Sequence, residues 1–320
     1  MINRNFKNFK FQHSRNRNQI IYTSQKVQND QEVLNLIDNF LNEKNSFIFE
    51  SVEKGKIKGR YTIFGKNPDK IWEFNNKKSF LTTNNVKKKI KGTPDKIIEE
   101  IIEGFKFKTP KGLPPICSLI SGYFSYDTIR YIEKIPNKCK DDLKLPDVRL
   151  LRPRTVIIHD NFKKKIFYII NIFKDEKITD YKKKYIEIEN EINDLLIQAS
   201  LIKKNFYNST KKNIKIKSNT SKIKFLKMVD KAKKYIKIGD IFQVVLSQRF
   251  EAKLSKKPLE IYKKLRVTNP SPFMYFFNFN DFQIIGASPE ILVRLRDNKI
   301  TVRPIAGTRP RGKNSKEDNF

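Results

Sequence analysis

The stretch SFIFESVEKGKIKGRYTIFG, Ser46–Gly65, decides the fold prediction. Two runs rich in aromatic and β-branched residues flank a centre of Gly and Lys, which is the pattern of two strands joined by a turn. We therefore predict a hairpin on an N-terminal sheet. Just before it, Gln31–Leu41 places its apolar residues at helical spacing and predicts a helix.

A second hairpin is predicted further along the chain. Thr155–His159 and Ile166–Ile172 are β-branched runs separated by DNFKKK. Before them, LKLPDVRLLRP contains two prolines, and we expect these to break any regular element. Tyr123–Ile132 is aromatic and amphipathic, and a Lys/Glu-rich helix with an Ile/Leu stripe is predicted to end near Leu196.

Residues 200–220 are polar and rich in Asn, Ser and Lys, and they predict a linker between a domain at 1–199 and a domain at 221–320. The second domain is predicted to begin with a helix that Ser221 caps and Gly239-Asp240 ends.

Four strands are predicted in the second domain. The decapeptide IFQVVLSQRF alternates apolar and polar residues, so one face can pack and the other can meet a polar ligand. Phe282–Ala287, Glu290–Arg296 and Lys299–Pro304 follow, with a tight turn at Asp297-Asn298 between the last two.

Composition excludes several classes of protein. The 320 residues carry a net charge of +33, but the lysines are scattered and no helix-turn-helix, zinc or RRM signature accompanies them, so we predict no nucleic-acid partner. The charge should still attract small anionic metabolites. Two cysteines are too few for a disulfide framework, and no apolar run is long enough for a signal peptide or membrane span. The predicted location is the cytoplasm.

The sequence PIAGT, residues 304–308, predicts a turn in which backbone N–H groups and the Thr308 hydroxyl approach an anion closely. Arg303, Arg309 and Arg311 surround it, and arginine binds carboxylates through two hydrogen bonds. An acidic small molecule is one interpretation. A solvated strand end is the other.

Several ordered motifs carry a resemblance to a known family. They are FESVEKGKIKGRYTIFG, GYFSYDTIRYIEKIP, LPDVRLLRPRTVIIHD, GDIFQVVLSQRF, NPSPFMYFF, GASPEILVR and VRPIAGTRPRG. With them the chain resembles anthranilate synthase component I, a chorismate-utilising enzyme, and the resemblance implies an α+β fold with mainly antiparallel β-sheets packed on each other and outer helices. In this family the chain continues beyond PIAGTRPRG, so the resemblance implies a C-terminally truncated fragment with an incomplete second domain.

The resemblance also implies two binding sites. Gly307 and Thr308, the GT of PIAGT, would contact chorismate. Ser51, the serine of the family's LLES motif, would line a tryptophan pocket with Pro272, Phe273 and Met274, which match the family's P-Y-M. Tryptophan bound there would lower activity, so the two sites would be allosterically coupled. Phe273 replaces the usual tyrosine and keeps the ring for contact with an indole.

Two positions separate the reactions of related enzymes. Relatives that form isochorismate have a lysine general base at the position of Gln243, and aminodeoxychorismate synthases commonly have a lysine nucleophile at the position of Ala306. Since neither lysine is present, we expect ammonia to attack chorismate and yield anthranilate and pyruvate. The alternative is that Gln243 and Ala306 are ordinary strand residues.

The resemblance implies partners as well. Ammonia would come from a glutamine amidotransferase subunit, component II, in a heterotetramer with two copies of each subunit. Mg²⁺ would be held by family glutamates that follow the matched segment, together with a catalytic histidine that neither His13 nor His159 matches. We therefore assign no catalytic or metal residue here and expect this chain alone to convert no chorismate. The alternatives are aminodeoxychorismate synthase component I, a non-catalytic tryptophan-binding remnant and a basic polyanion binder.

Overall fold

The computed structural model describes residues 6–27, 30–52, 59–201, 214–304, 310, 312–314 and 317, with the backbone alone at 30–34. Its helices are α1 (Phe6–Ser14), α2 (Asp30–Phe40), α3 (Pro94–Gly104), α4 (Tyr181–Ser200), α5 (Lys222–Lys237) and α6 (Pro258–Thr268), with a 3₁₀ helix at Tyr126–Tyr131. Its strands are β1 (Gln19–Lys26), β2 (Ser46–Glu50), β3 (Tyr61–Asn75), β4 (Lys78–Thr83), β5 (Val86–Ile90), β6 (Ser121–Phe124), β7 (Val148–Asp160), β8 (Lys165–Ile172), β9 (Ile216–Ser218), β10 (Phe250–Ala252), β11 (Phe273–Asn278), β12 (Gln283–Ser288), β13 (Arg294–Arg296) and β14 (Lys299–Thr301).

A ten-stranded antiparallel sheet organises the described residues. Its main path is β1-β8-β7-β3-β2-β11-β12, with β4 on β3, β5 on β4 and β6 on β7. Both predicted hairpins are confirmed, since β2 pairs with β3 and β7 pairs with β8. The predicted helix at 31–41 is α2, and the predicted Lys/Glu helix is α4. The expected α+β class with mainly antiparallel sheet is confirmed.

The expectation that proline would interrupt the LKLPDVRLLRP segment was wrong at Pro153. That residue lies inside β7, where it pairs with Pro68 of β3 at a point where the register shifts. Pro153 and Pro68 lie opposite each other next to the register shift, so the missing N–H groups fall where the regular ladder is already interrupted. The strand therefore starts at Val148 and continues through the proline.

The main sheet contains strands from both sides of the predicted linker. Strand β11 pairs with β2 from Met274↔Glu50 to Asn278↔Ser46, and β12 forms a hairpin with β11. Contacts divide the chain into two compact units, one of 1–203 with 262–320 and one of 204–261. The predicted domain boundaries at 199 and 221 stay predictions.

A buried arginine fixes the β11–β12 hairpin to the sheet. Arg149 of β7 is 6% exposed, and its Nη2 lies 2.7 Å from Oε1 of Glu73 and 2.9 Å from Oδ2 of Asp281 in the hairpin loop. Its Nη1 donates to the carbonyl of Phe279 at 3.2 Å. Because a buried guanidinium needs charged and polar partners, this cluster holds the loop at one position.

In the unit of 204–261, the predicted start and end of the helix are confirmed. The Ser221 hydroxyl accepts from the backbone N–H of Lys224, and Gly239 follows α5 at φ +85°. The predicted strand over IFQVVLSQRF was wrong for residues 241–249, which form no regular element, and only β10 is extended. An alternating pattern becomes a strand only where a neighbouring strand supplies its hydrogen bonds, and among described residues β9 supplies them to β10 alone.

Further strand predictions hold near the C-terminus. Strand β12 is the one predicted at 282–287, and β13 pairs with β14 as predicted. Asp297 and Asn298 have φ of +49° and +58°, which is the backbone of a tight hairpin turn. No helix of the described residues is long and apolar enough to cross a bilayer.

Candidate functional site

Strands β2 and β11 bring Ser51 beside the segment 272–274, although these residues are more than 200 positions apart in sequence. The ladder ends with Glu50 opposite Met274. Beyond it, the backbone N–H of Val52 donates to the carbonyl of Ser271 at 2.9 Å. This bond holds Ser51 between two anchored neighbours, next to Pro272 and Phe273.

The side chain of Ser51 is packed against Gly59. A Cβ at residue 59 would lie 1.9 Å from the Ser51 Cβ and 2.3 Å from its Oγ, so only glycine allows this approach. Ser51 is half-buried. Its position therefore depends on the backbone that precedes β3 as well as on β11.

The three predicted partners of Ser51 differ in exposure. Pro272 is half-buried, Phe273 is 43% exposed and Met274 is 1% exposed. Adjacent strand residues point to opposite faces, so Phe273 and Met274 cannot both face a ligand on one side of the sheet. Phe273 offers an open aromatic ring, whereas Met274 packs on the face that carries Glu50.

Glu50 is a buried carboxylate directly beside Ser51. It is 5% exposed, it accepts a hydrogen bond from the Tyr262 hydroxyl, and Nε of Arg266 lies 2.8 and 2.9 Å from its two oxygens. Tyr262 and Arg266 are one turn apart on α6. Burial raises the pKa of Tyr262 well above its ordinary value, and the Glu50 carboxylate raises it further.

This arrangement suits recognition rather than proton transfer. Glu50 is held by two donors, and the residue beside it offers a hydroxyl next to an exposed phenyl ring. An apolar surface with a few fixed polar groups is typical of small-molecule sites. The geometry therefore fits a planar apolar ligand that carries a hydrogen-bonding group.

The part of the chain that the structure describes does not bring together the residues predicted to act on chorismate. Gln243 is exposed and lies in the irregular segment of the unit of 204–261. Ala306, Gly307 and Thr308 lie outside the described residues, as do Arg309 and Arg311. Their predicted roles stay predictions.

The two histidines are both buried in the main sheet and its helices. His13 Nδ1 lies 3.1 Å from the Tyr181 hydroxyl between α1 and α4, and His159 is 1% exposed in β7. Among described residues there is no group of three or more His, Cys, Asp or Glu that fits a metal ion. The described residues therefore offer no site that fits the Mg²⁺ that the resemblance implies.

Sequence reasoning missed Glu50, Gly59, Tyr262 and Arg266. The available signals were the acidic residue next to Ser51 and the spacing of four between Tyr262 and Arg266, which places both on one face of a helix. Neither signal indicates that Glu50 and α6 are partners, because the two are distant in sequence.

Comparisons with known proteins agree with this architecture. The chain is 38% identical over 308 residues to anthranilate synthase component 1 of Acetivibrio thermocellus and 36% identical to that of Cereibacter sphaeroides. It covers 62% and 61% of their lengths, while 93% and 94% of the chain is matched. The chain thus spans about three fifths of the length of these curated relatives.

Solved structures give the same result. Anthranilate synthase component I from Streptococcus pneumoniae superimposes with a TM-score of 0.66 at 30% identity, over 79% of this chain and 55% of that one. The menaquinone-specific isochorismate synthase of Escherichia coli shares the fold, with a TM-score of 0.57 at 14% identity, over 94% of this chain and 57% of that one. The family model for chorismate binding enzymes matches residues 44–320, which is well over half of the sequence. This chain belongs to the chorismate binding enzyme family.

Proposed function

We propose that this protein is component I of an anthranilate synthase, a lyase that converts chorismate and ammonia to anthranilate and pyruvate at the first step of tryptophan biosynthesis. Its relatives at 38% and 36% identity carry that name. The pairing of β2 with β11 carries the proposal, because it joins Ser51 and 272–274, two segments that the resemblance assigns to one ligand.

In this proposal tryptophan binds at the end of the β2–β11 ladder. Phe273 stacks on the indole and Ser51 offers a hydroxyl, while the hydrogen bonds of Glu50 with Tyr262 and Arg266 hold β2 against α6. Pro272 and Met274 shape the site, with Met274 acting from the buried face. Bound tryptophan favours a less active state, which couples this site to the chorismate site.

Chorismate binds at Gly307 and Thr308 in this proposal. Gln243 and Ala306 offer no amine to activate water or attack the ring, so an external nucleophile is required. The name component 1 of the relatives favours a second component. We propose that this component is a glutamine amidotransferase subunit that delivers ammonia. The two subunits would form a cytoplasmic heterotetramer with two copies of each subunit. Mg²⁺ would be held by residues other than those that the structure describes.

The product formed by the native protein, isolated from its own cells, tests the proposal. Supplied with chorismate, Mg²⁺ and glutamine or ammonium, it should form anthranilate, which is followed by its fluorescence. A product aminated at C4, or one hydroxylated at C2, would contradict the proposal and identify a different member of the family. Added tryptophan should lower the rate of anthranilate formation.

A further inference from the structure

A concave site lies away from Ser51, near the other end of β3. A cleft of about 360 Å³ opens between α3 and strands β3, β4 and β5. Pockets upward of about 300 Å³ with apolar walls are the usual sites for small organic molecules. We call the apolar part of its lining the floor of the cleft; it consists of Trp72, Leu81, Ile90, Ile97, Ile101, Phe105, Ile120 and Phe173.

Among the described residues, some of the cationic side chains around the cleft form ion pairs and others do not. Lys70 pairs with Asp175, and Arg152 pairs with both Asp175 and Asp69, so these cations are neutralised. Lys91 and Lys174 also line the cleft, and neither has an ion-pair partner among the residues that the structure describes. Glu100 is the remaining acidic residue of the lining.

A basic basin of about 740 Å³ lies beside the cleft and shares Asn18 and Lys174 with its lining. Asn18 links the two spaces, since its Oδ1 accepts from the Lys174 backbone N–H at 2.8 Å and its Nδ2 donates to the Lys106 carbonyl at 2.7 Å. No acidic residue lines the basin within the described part of the chain. Its cations are Arg17, Lys106, Lys108, Lys111 and Lys174.

We propose that this cleft binds a small amphiphilic organic anion. The apolar body lies on Trp72 and Phe173, and the carboxylate or phosphate group lies at Lys174, which lines both the cleft and the basin. Buried apolar area supplies affinity and the uncompensated lysines select the negative charge. The proposal goes beyond the proposed function, because the cleft shares no residue with the β2–β11 site.

Size and shape favour a small ligand over a polyanion. A cleft of about 360 Å³ lies near the lower end of the volumes of small-molecule sites. A nucleic acid would use the lysines for its phosphates and leave the apolar floor without a partner. We therefore expect the basin to steer and hold the head group, and the floor to select the body.

The chain supplies its own reporter for this site. Trp72 is the one tryptophan in the sequence and lies in the floor of the cleft. Decanoate, which does not fluoresce, is titrated into the 320-residue protein below its micelle-forming concentration while the Trp72 emission is followed. We expect a saturable change in Trp72 emission with decanoate. The half-saturating concentration of decanol should be about tenfold higher than that of decanoate, because decanol lacks the negative charge.

Two variants and one control test the assignment. Gly104 lines the cleft and a Cβ there meets no atom within 4 Å, so Gly104→Phe should fill the cleft and abolish the decanoate response without unfolding the protein. Lys174→Glu reverses one rim charge and should raise the half-saturating concentration about five- to tenfold. The matched control is Lys163→Glu in the β7–β8 turn, at the other end of β8, and it should leave the response unchanged.

The proposal is overturned by an absent or non-saturable Trp72 response. It is also overturned if decanol half-saturates the response at the same concentration as decanoate. A decanoate response in Gly104→Phe, with an unchanged circular dichroism spectrum, would overturn it as well. The same holds if Lys163→Glu weakens decanoate binding as much as Lys174→Glu does. Binding of duplex DNA that Lys174→Glu abolishes, without any decanoate response, would assign the surface to a polyanion instead. None of these experiments measures anthranilate formation. A negative result would therefore overturn the proposed anion site without bearing on the proposed function.

Discussion

Arg266 and Glu50 form a charge pair that joins helix α6 to strand β2. Nε of Arg266 lies 2.8 and 2.9 Å from the two carboxylate oxygens, and the Glu50 side chain is 2% exposed while that of Arg266 is 27% exposed. Tyr262 donates to the same carboxylate from one turn earlier. The strand end that carries Ser51 is therefore fixed by a helix more than 200 residues away in sequence.

Replacing Glu50 by Gln should lower the free energy of unfolding by about 2 kcal/mol. The change leaves the guanidinium of Arg266 without its carboxylate, and partial access of Arg266 to water keeps the cost at the low end of values for buried pairs. Denaturant unfolding followed by Trp72 emission measures it. The control is Asp127→Asn, which breaks the exposed pair with Arg130 and should cost less than about 1 kcal/mol. Equal losses in the two variants would contradict the role given to Glu50.

Gly65 and Gly104 should respond oppositely to alanine. At Gly65 a Cβ would lie 2.2 Å from the ring of Phe47, which is fully buried, so Gly65→Ala should cost about 1–3 kcal/mol through overpacking. At Gly104 a Cβ meets no atom within 4 Å, so Gly104→Ala should be neutral or stabilise by about 0.4–1 kcal/mol. Thermal unfolding of both variants checks the pair, and a destabilised Gly104→Ala would show that α3 packs differently.

Much of the local structure could be predicted from sequence, because it depends on neighbouring residues. The β7–β8 hairpin and the Ser221 cap follow from short-range patterns. The strand through Pro153 could not be predicted, since it depends on the irregular register opposite Pro68. Similarly, the IFQVVLSQRF pattern gives no information on whether a neighbouring strand is present.

The proximity of the candidate site residues was predictable in part, while their role in binding stays a prediction. The resemblance placed Ser51 and Phe273 in one pocket, and the β2–β11 pairing brings them together. Met274 was expected beside them, but strand alternation puts it on the buried face. The partners of Glu50 on α6 could not be inferred, because no local pattern specifies a contact between a strand and a helix so distant in sequence.

Asp160 should make the free energy of unfolding depend on pH under acidic conditions. Burial alone raises the pKa of this carboxyl, but the hydrogen bond from Arg60 at 3.1 Å and the backbone N–H groups of Lys163 and Phe162, each at 3.0 Å, outweigh it. The pKa of Asp160 therefore lies below its ordinary value. The folded protein binds fewer protons here than the unfolded chain, so stability from this group is present above the unfolded pKa of about 3.9.

That contribution is lost as the pH falls from about 5 through the lowered pKa of folded Asp160. Asp160→Asn should be less stable than the native protein at pH 7 and should lose less stability between pH 5 and pH 2.5. Urea midpoints across that range give the comparison, with Phe162→Leu as a control that changes the same turn and removes no titrating group. An identical acid loss in Asp160→Asn would exclude the proposed linkage.

Tryptophan binding is the most direct measure of the central claim, which is that the end of the β2–β11 ladder forms an effector site. Calorimetric titration of the 320-residue protein should show one tryptophan site per chain. Ser51→Ala should weaken it about tenfold through loss of the hydroxyl, and Gly59→Ala should weaken it by displacing Ser51. Ser24→Ala, an exposed serine on β1, should leave the affinity unchanged. Absence of tryptophan binding, or equal affinity in Ser51→Ala and the native protein, would contradict the account.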